Sequence, residues 1–151
     1  MKSCCVTGHR DIAVDKISLV ERKLRKEIIT AISDGYTDFF SGFAPGVDIL
    51  FGKLVVELQK KHPKITLNAA LPYPTWMKYR RMEEQKLLTH CVSIGVHSPK
   101  YNPNCFLVRN HFMINSCERL IAVYDGRTKG GTVNTMRYAA ALKRDIRNIN
   151  I

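Results

Sequence analysis

The residues best suited to chemistry stand in four short stretches: "TGHR" (Thr7 to Arg10), "SGFAPGVD" (Ser41 to Asp48), "LPYP" (Leu71 to Pro74) and "DGRTKGGTVNT" (Asp125 to Thr135). The last follows an apolar run ending at Tyr124 and sets Gly126, Gly130 and Gly131 within six residues, just ahead of a helix-like segment. Glycines there let backbone N–H groups approach an anion, the helix N-terminus adds partial positive charge, and Thr132 adds a hydroxyl donor. That combination suits a phosphate; a tight strand-to-helix turn with no ligand is the alternative. A second glycine loop, Gly42 to Gly46, also precedes a helix and strengthens the ligand reading. Neither loop spells G-x-G-x-x-G or a P-loop.

Nearby side chains extend the chemistry. Arg10 can pair bidentately with a phosphate or carboxylate, and His9 can donate to a sugar or phosphate. Asp48 either caps its helix or accepts hydrogen bonds from ribose hydroxyls. Thr7, Gly8, Ser41, Pro72 and Tyr73 belong to the same set because they end strand-like runs.

The elements that must hold these residues follow from apolar periodicity. "SCCVTG" reads as a strand, and Ile17, Val20, Leu24, Ile28 and Ile32 recur at helical spacing through Val14 to Ile32. "TDFFSG", a helix from about Gly46 to Lys61, "KITLNAALP", a helix over Trp76 to Thr89, and "CVSIGVH" come next. A helix over Phe106 to Ser116, "RLIAVYDG", a helix over Thr132 to Arg144, and "IRNINI" complete the series. This alternation predicts one α/β domain over 1–151, with a mainly parallel sheet of about six strands and helices on both faces. In such sheets ligands bind at the carboxyl ends of the strands, where all four stretches fall.

Composition bounds the function. Lys and Arg number 24 against 13 Asp and Glu, a net charge of +11 that favours an anionic partner, either a phosphate-bearing small molecule or nucleic acid. No apolar run is long enough for a membrane helix, and the first residues lack the apolar core of a signal peptide, so a cytoplasmic location without membrane association is expected. The five cysteines include no C-x-x-C pair, and Cys91, Cys105, His111 and Cys117 match no zinc spacing. Neither a metal nor a cofactor is expected.

Taken in order, "TGHR", "SGFAPGVD", "LPYP", "RNHFMINSCERLIAVYDG" and "KGGTVNT" resemble the motifs of the YpsA-like family within the SLOG superfamily, across Thr7 to Ala141. That superfamily also includes the LOG phosphoribohydrolases and the DNA-processing protein DprA. The resemblance implies a Rossmann-like, doubly wound domain binding nucleotides or nucleotide-derived ligands, such as ADP-ribose or a cyclic derivative, as a sensor or sequestering protein. It adds Arg109, Asn110, Asn134 and Thr135 to the candidate site. LOG hydrolases carry R-K-x-x-M and P-G-G-x-G-T-x-x-E; here Asn110 takes the lysine position and Thr135 the glutamate position. Threonine cannot supply a carboxylate for acid–base chemistry or for an oxocarbenium-like transition state. A binding module is therefore expected over an enzyme.

The loop after the second strand has Gly42-Phe43 where relatives tend to show Gly-Gly, so Phe43 either stacks on a base or turns into the core. Two further functions stay open. One is N-glycosidic hydrolysis using Asp48, Asp125 and Arg109. The other is single-stranded DNA binding, for which "PYPTWMKYRR" (Pro72 to Arg81) interleaves aromatic and basic residues. A homo-oligomer, bacterial or phage in origin, is also implied by the resemblance.

Overall fold

The computed structural model describes residues 2–151. Six strands form one sheet: β1 (Lys2–Thr7), β2 (Tyr36–Ser41), β3 (Thr66–Leu71), β4 (Ser93–Val96), β5 (Arg119–Tyr124) and β6 (Asp145–Asn150). Five helices connect them: α1 (Ile17–Ser33), α2 (Val47–Leu58), α3 (Met82–Leu88), α4 (Cys105–Ser116) and α5 (Gly131–Ala141). The strand order is β4-β3-β2-β1-β5-β6 and every pairing is parallel, the Rossmann-like α/β arrangement.

The inner strands β1, β2, β3 and β5 bury both faces, one against α1 and α2, the other against α4 and α5, whereas the edge strands β4 and β6 stay largely exposed. Alternation within β1 makes the division plain: Cys4 and Val6 join the α1/α2 side, and Cys5 joins the α4/α5 side. Helix α1 has no side-chain cap at its N-terminus, so its anchorage is the stripe Val20, Leu24 and Ile28, all fully buried. At about 2 kcal/mol per buried aliphatic side chain, that stripe outweighs a missing cap worth about 1 kcal/mol.

The topology makes a crevice between β1 and β5. These strands are neighbours, Thr7 lying opposite Ala122, yet the chain leaves β1 toward β2 and leaves β5 toward β6. The loops that follow them diverge, and a cleft opens where the strand order reverses.

The expected helix over Trp76 to Thr89 is a correction. Only Met82–Leu88 is helical; before it the chain makes successive tight turns, with Trp76 N–H donating to Tyr73 O at 3.2 Å and Arg80 N–H to Met77 O at 3.2 Å. Trp76 Nε1 reaches inward to Phe43 O at 3.1 Å, and Arg81 is extended (φ −60°, ψ 151°), which delays the helix until the next residue. The first helix likewise begins with a short 3-10 turn, Val14–Lys16.

Candidate functional site

Two glycine loops meet at this cleft, and the chain builds them differently. After β2, the Ser41 hydroxyl donates to Asp48 O at 2.9 Å and accepts from Phe43 N–H at 3.2 Å, winding the loop back onto the start of α2. Gly46 has φ 85° and ψ −121°, a region open only to glycine, and a Cβ there would lie 2.8 Å from His9 O and 2.9 Å from Arg10 O. A Cβ on Gly42 would lie 2.5 Å from Arg109 Nη1. After β5, a Cβ on Gly126 or Gly130 would meet nothing within 4 Å, and one on Gly131 would meet only Asn110 Nδ2, at 4.0 Å. The backbone at the start of α5 therefore faces open space.

That space is a cleft of about 400 Å³ at the β1/β5 reversal, within the range of small-molecule sites. Thr7, Gly8, His9, Arg10, Asp48, Arg109, Asn110, Gly130, Gly131 and Thr132 all line it. Four segments remote in sequence, the end of β1 and the starts or faces of α2, α4 and α5, thus converge there.

Arg109 is the central cation. It extends from α4, is 3% exposed, and donates from Nε to Asn110 Oδ1 at 2.7 Å and from Nη1 to Gly42 O and to Ala70 O, the latter at 3.3 Å. Its Nη2 has no acceptor among the described residues, and the side chain borders the cleft. Burial lowers its pKa and Asp48 opposes the shift, but a guanidinium stays charged at physiological pH. Arg10 lies over two rings, Phe106 at 5.2 Å and Trp76 at 5.5 Å, within cation–π range, and Phe106 also sits 5.9 Å from the Arg109 guanidinium.

Asp48 is the buried anion, 7% exposed, in the first turn of α2. Its Oδ2 accepts from Ala44 N–H at 3.2 Å, and it forms no ion pair among the described residues. Burial pushes its carboxyl above the usual carboxylate range, against the pull of the Arg109 charge.

His9 is 4% exposed, and its Nε2 lies 3.2 Å from Asp125 N and 3.1 Å from Asp125 Oδ1. The first contact needs Nε2 without a proton, as in the neutral Nδ1–H tautomer; the second needs Nε2–H, as in the other neutral tautomer or the imidazolium. Burial lowers the His9 pKa despite Asp125, which favours the neutral ring.

Several predicted residues lie outside the cleft. Asp125 is held by Arg127, which donates from Nε at 3.0 and 3.1 Å and from Nη2 at 2.6 Å, and this holds its carboxyl well below the ordinary carboxylate range. Phe43 is fully buried with φ 55°: its ring joins the core and offers no face to a base, because the loop's close return over α2 turns it inward. Thr135 is 1% exposed, and its hydroxyl donates to Gly131 O at 2.8 Å within the helix. Asn134 is exposed one turn into α5, and Pro72 is buried. Tyr73 is half-buried, packed edge-on at 5.7 Å against both Trp76 and Tyr101. Ser41, Gly42 and Gly46 support the site from behind.

Sequence reasoning missed Asp11, Phe106 and Arg127, which border the cleft. Phe106 stands three residues before Arg109, one helical turn away, a usable signal. Arg127 joins the loops after β1 and β5, pairing Nη2 with Asp11 Oδ1 at 3.1 Å as well as with Asp125; in sequence both look like solvated loop charges. Among the described residues no group of three or more His, Cys, Asp or Glu side chains could hold a metal ion. None of the helices is long and apolar enough to cross a membrane.

The fold is that of a Rossmann-like domain with a cleft at the reversal of its strand order, and comparison with known proteins narrows the class. Residues 4–150 match the YspA SLOG family (YpsA), and the chain belongs to that family. It is 25% identical to a UPF0398 protein of Bacillus cereus, covering 98% of this chain and 87% of that one, and equally identical to a UPF0398 protein of Bacillus thuringiensis. Among solved structures it resembles DNA processing protein A of Helicobacter pylori, whose structure concerns a single-stranded DNA binding mode, with TM-score 0.70 and 18% identity. The likeness covers 97% of this chain and 64% of that one, so the chain spans a little under two thirds of that neighbour. TM1055 is a second neighbour, at TM-score 0.61 and 18% identity, covering 97% of this chain and 72% of that one.

Proposed function

We propose that this protein binds a nucleotide or nucleotide-derived ligand through its phosphate, as a sensor or sequestering protein. The carrying observation is the unpartnered Nη2 of Arg109, on a side chain 3% exposed, bordering the same cleft as the bare start of α5. A buried cation with a spare donor beside a helix N-terminus is matched by a phosphate, which accepts from both. Gly130, Gly131 and Thr132 cradle it, and Arg10 supplies a second charge from the rim.

Binding is favoured over glycosidic turnover by the state of the carboxylates. Two-carboxylate hydrolysis needs both groups on the scissile bond, whereas Asp125 is engaged by Arg127 and does not border the cleft. Thr135, in the position of the hydrolases' glutamate, spends its hydroxyl on its own helix.

The test is calorimetric titration with AMP and ADP-ribose, with chromatography of the recovered ligand. Saturable binding of intact compound is expected. Gly131→Asp, which adds a carboxylate at a position with room for it, should weaken binding at least about 100-fold while the protein stays folded. Equal affinity in that variant overturns the phosphate assignment, and released base or ribose phosphate overturns the non-catalytic reading.

A second reading, single-stranded nucleic acid, is supported by Tyr79, 87% exposed and flanked by Lys78, Arg80 and Arg81, and by the Helicobacter pylori neighbour. Oligonucleotide binding that weakens steeply with salt is its expected signature.

A further inference from the structure

Resting on the phosphate reading, we propose that Asp48 makes this a ribose-selective site: its Oδ1 accepts a hydrogen bond from a ribose hydroxyl of the bound nucleotide.

The two oxygens of Asp48 have different fates. Oδ2 accepts from Ala44 N–H, which closes the turn into α2. Oδ1 accepts no hydrogen bond among the described residues, although the side chain is 7% exposed and borders the cleft. An ionised carboxylate only accepts, and a buried one with an idle oxygen is costly until a donor arrives. No protein cation fills that need: Asp48 forms no ion pair among the described residues, and the Nε and Nη1 of Arg109 are directed to Asn110, Gly42 and Ala70.

The position of the carboxylate is fixed rather than adaptable. Ser41 Oγ donates to the Asp48 carbonyl and accepts from Phe43 N–H, and the left-handed Gly46 packs the start of α2 against the loop after β1. Asp48 is thus held at one place in the cleft wall, near enough to Arg109 for the two charges to influence each other yet not in contact.

A ligand serving both groups must be anionic where it meets Arg109 and α5, and must carry a neutral donor a few bonds away for Asp48. Ribose 5′-phosphates have that layout, the hydroxyls lying on the ring that the phosphate esterifies. A second anionic group near Asp48 would be repelled, so the carboxylate also discriminates against ligands with phosphates at both positions.

The experiment titrates the wild-type chain and Asp48→Asn with AMP, 2′-deoxy-AMP, 3′-deoxy-AMP, IMP and inorganic phosphate. Wild type should bind at least one of the deoxy compounds about tenfold or more weakly than AMP, the size of one lost charge-assisted hydrogen bond. IMP should match AMP. In Asp48→Asn the gap between AMP and that deoxy compound should shrink to a few-fold or less, while inorganic phosphate binds no more weakly than before, which a collapsed site could not produce.

If AMP and both deoxy compounds bind wild type equally well, the ribose assignment is wrong and the phosphate reading stands. If IMP is the weak one, the donor is a base amine and the assignment is likewise wrong. If the gap survives in Asp48→Asn, another residue reads the sugar. If wild type binds neither AMP nor inorganic phosphate, the phosphate reading fails and takes the proposal with it.

Discussion

The loops after β2 and β5 look alike in sequence: each carries glycines, each precedes a helix, and each opens onto the same edge of the sheet. Physically they are opposites. In the first, Gly42 and Gly46 are glycine because Arg109 and the backbone of His9 and Arg10 already occupy the space a side chain would need. In the second, Gly130 and Gly131 have almost nothing beside them. A glycine pressed against protein serves the fold; a glycine facing the open cleft leaves its backbone N–H within reach of a ligand.

Substitutions that swap these roles test the contrast. The largest effect falls on the crowded loop: Gly46→Ala imposes a side chain on φ 85° and drives it into two carbonyl oxygens, so a loss of about 3 kcal/mol or more of stability is expected in denaturant titration. In the open loop, Gly131→Ala should leave the melting temperature unchanged or slightly raised, yet weaken AMP about tenfold by crowding the cradle. If both variants lose stability equally, the distinction between the loops is unfounded. Next comes Thr135→Val, which removes the hydroxyl bonded to Gly131 O. It should cost about 1 kcal/mol of stability and leave AMP affinity as it was, because Thr135 serves α5 rather than the cleft.

The smallest contrast is in pH. Burial raises the pKa of Asp48, whereas the Arg127 hydrogen bonds lower that of Asp125. Above its raised pKa the Asp48 carboxylate subtracts from stability, and the penalty fades as pH falls through that value toward the ordinary carboxylate one. Asp125 runs the other way: its contribution is present above the ordinary value and is lost as pH falls below it. Asp48→Asn should therefore raise the melting temperature near neutral pH but not at about pH 3, while Asp125→Asn lowers it slightly near neutrality, an effect that fades on acidification.

These loops also mark how far the sequence could be read. The parallel sheet and the shared edge that carries Arg10 and Gly131 follow from alternation and from parallel-sheet geometry, which are global constraints, whereas Arg109 entered through the family resemblance. The direction of Phe43 does not, since a residue at φ 55° in a loop has no periodicity to show which way it points. Thr135 lies in a helix whose register the sequence gives, yet its hydroxyl chose a carbonyl four residues back over a ligand, a local competition that composition does not reveal. The Arg127 bridge is illegible for another reason: its partner Asp11 is 116 residues away.

Trp76 is the chain's only tryptophan, and the cleft-lining Arg10 lies 5.5 Å, and Arg80 5.0 Å, from its ring. Indole fluorescence responds to charges on its face, so a ligand that draws Arg10 away from the ring changes the emission of a single, unambiguous fluorophore. Ligand occupancy of the native chain can thus be followed optically, without a label, in a stopped-flow cell.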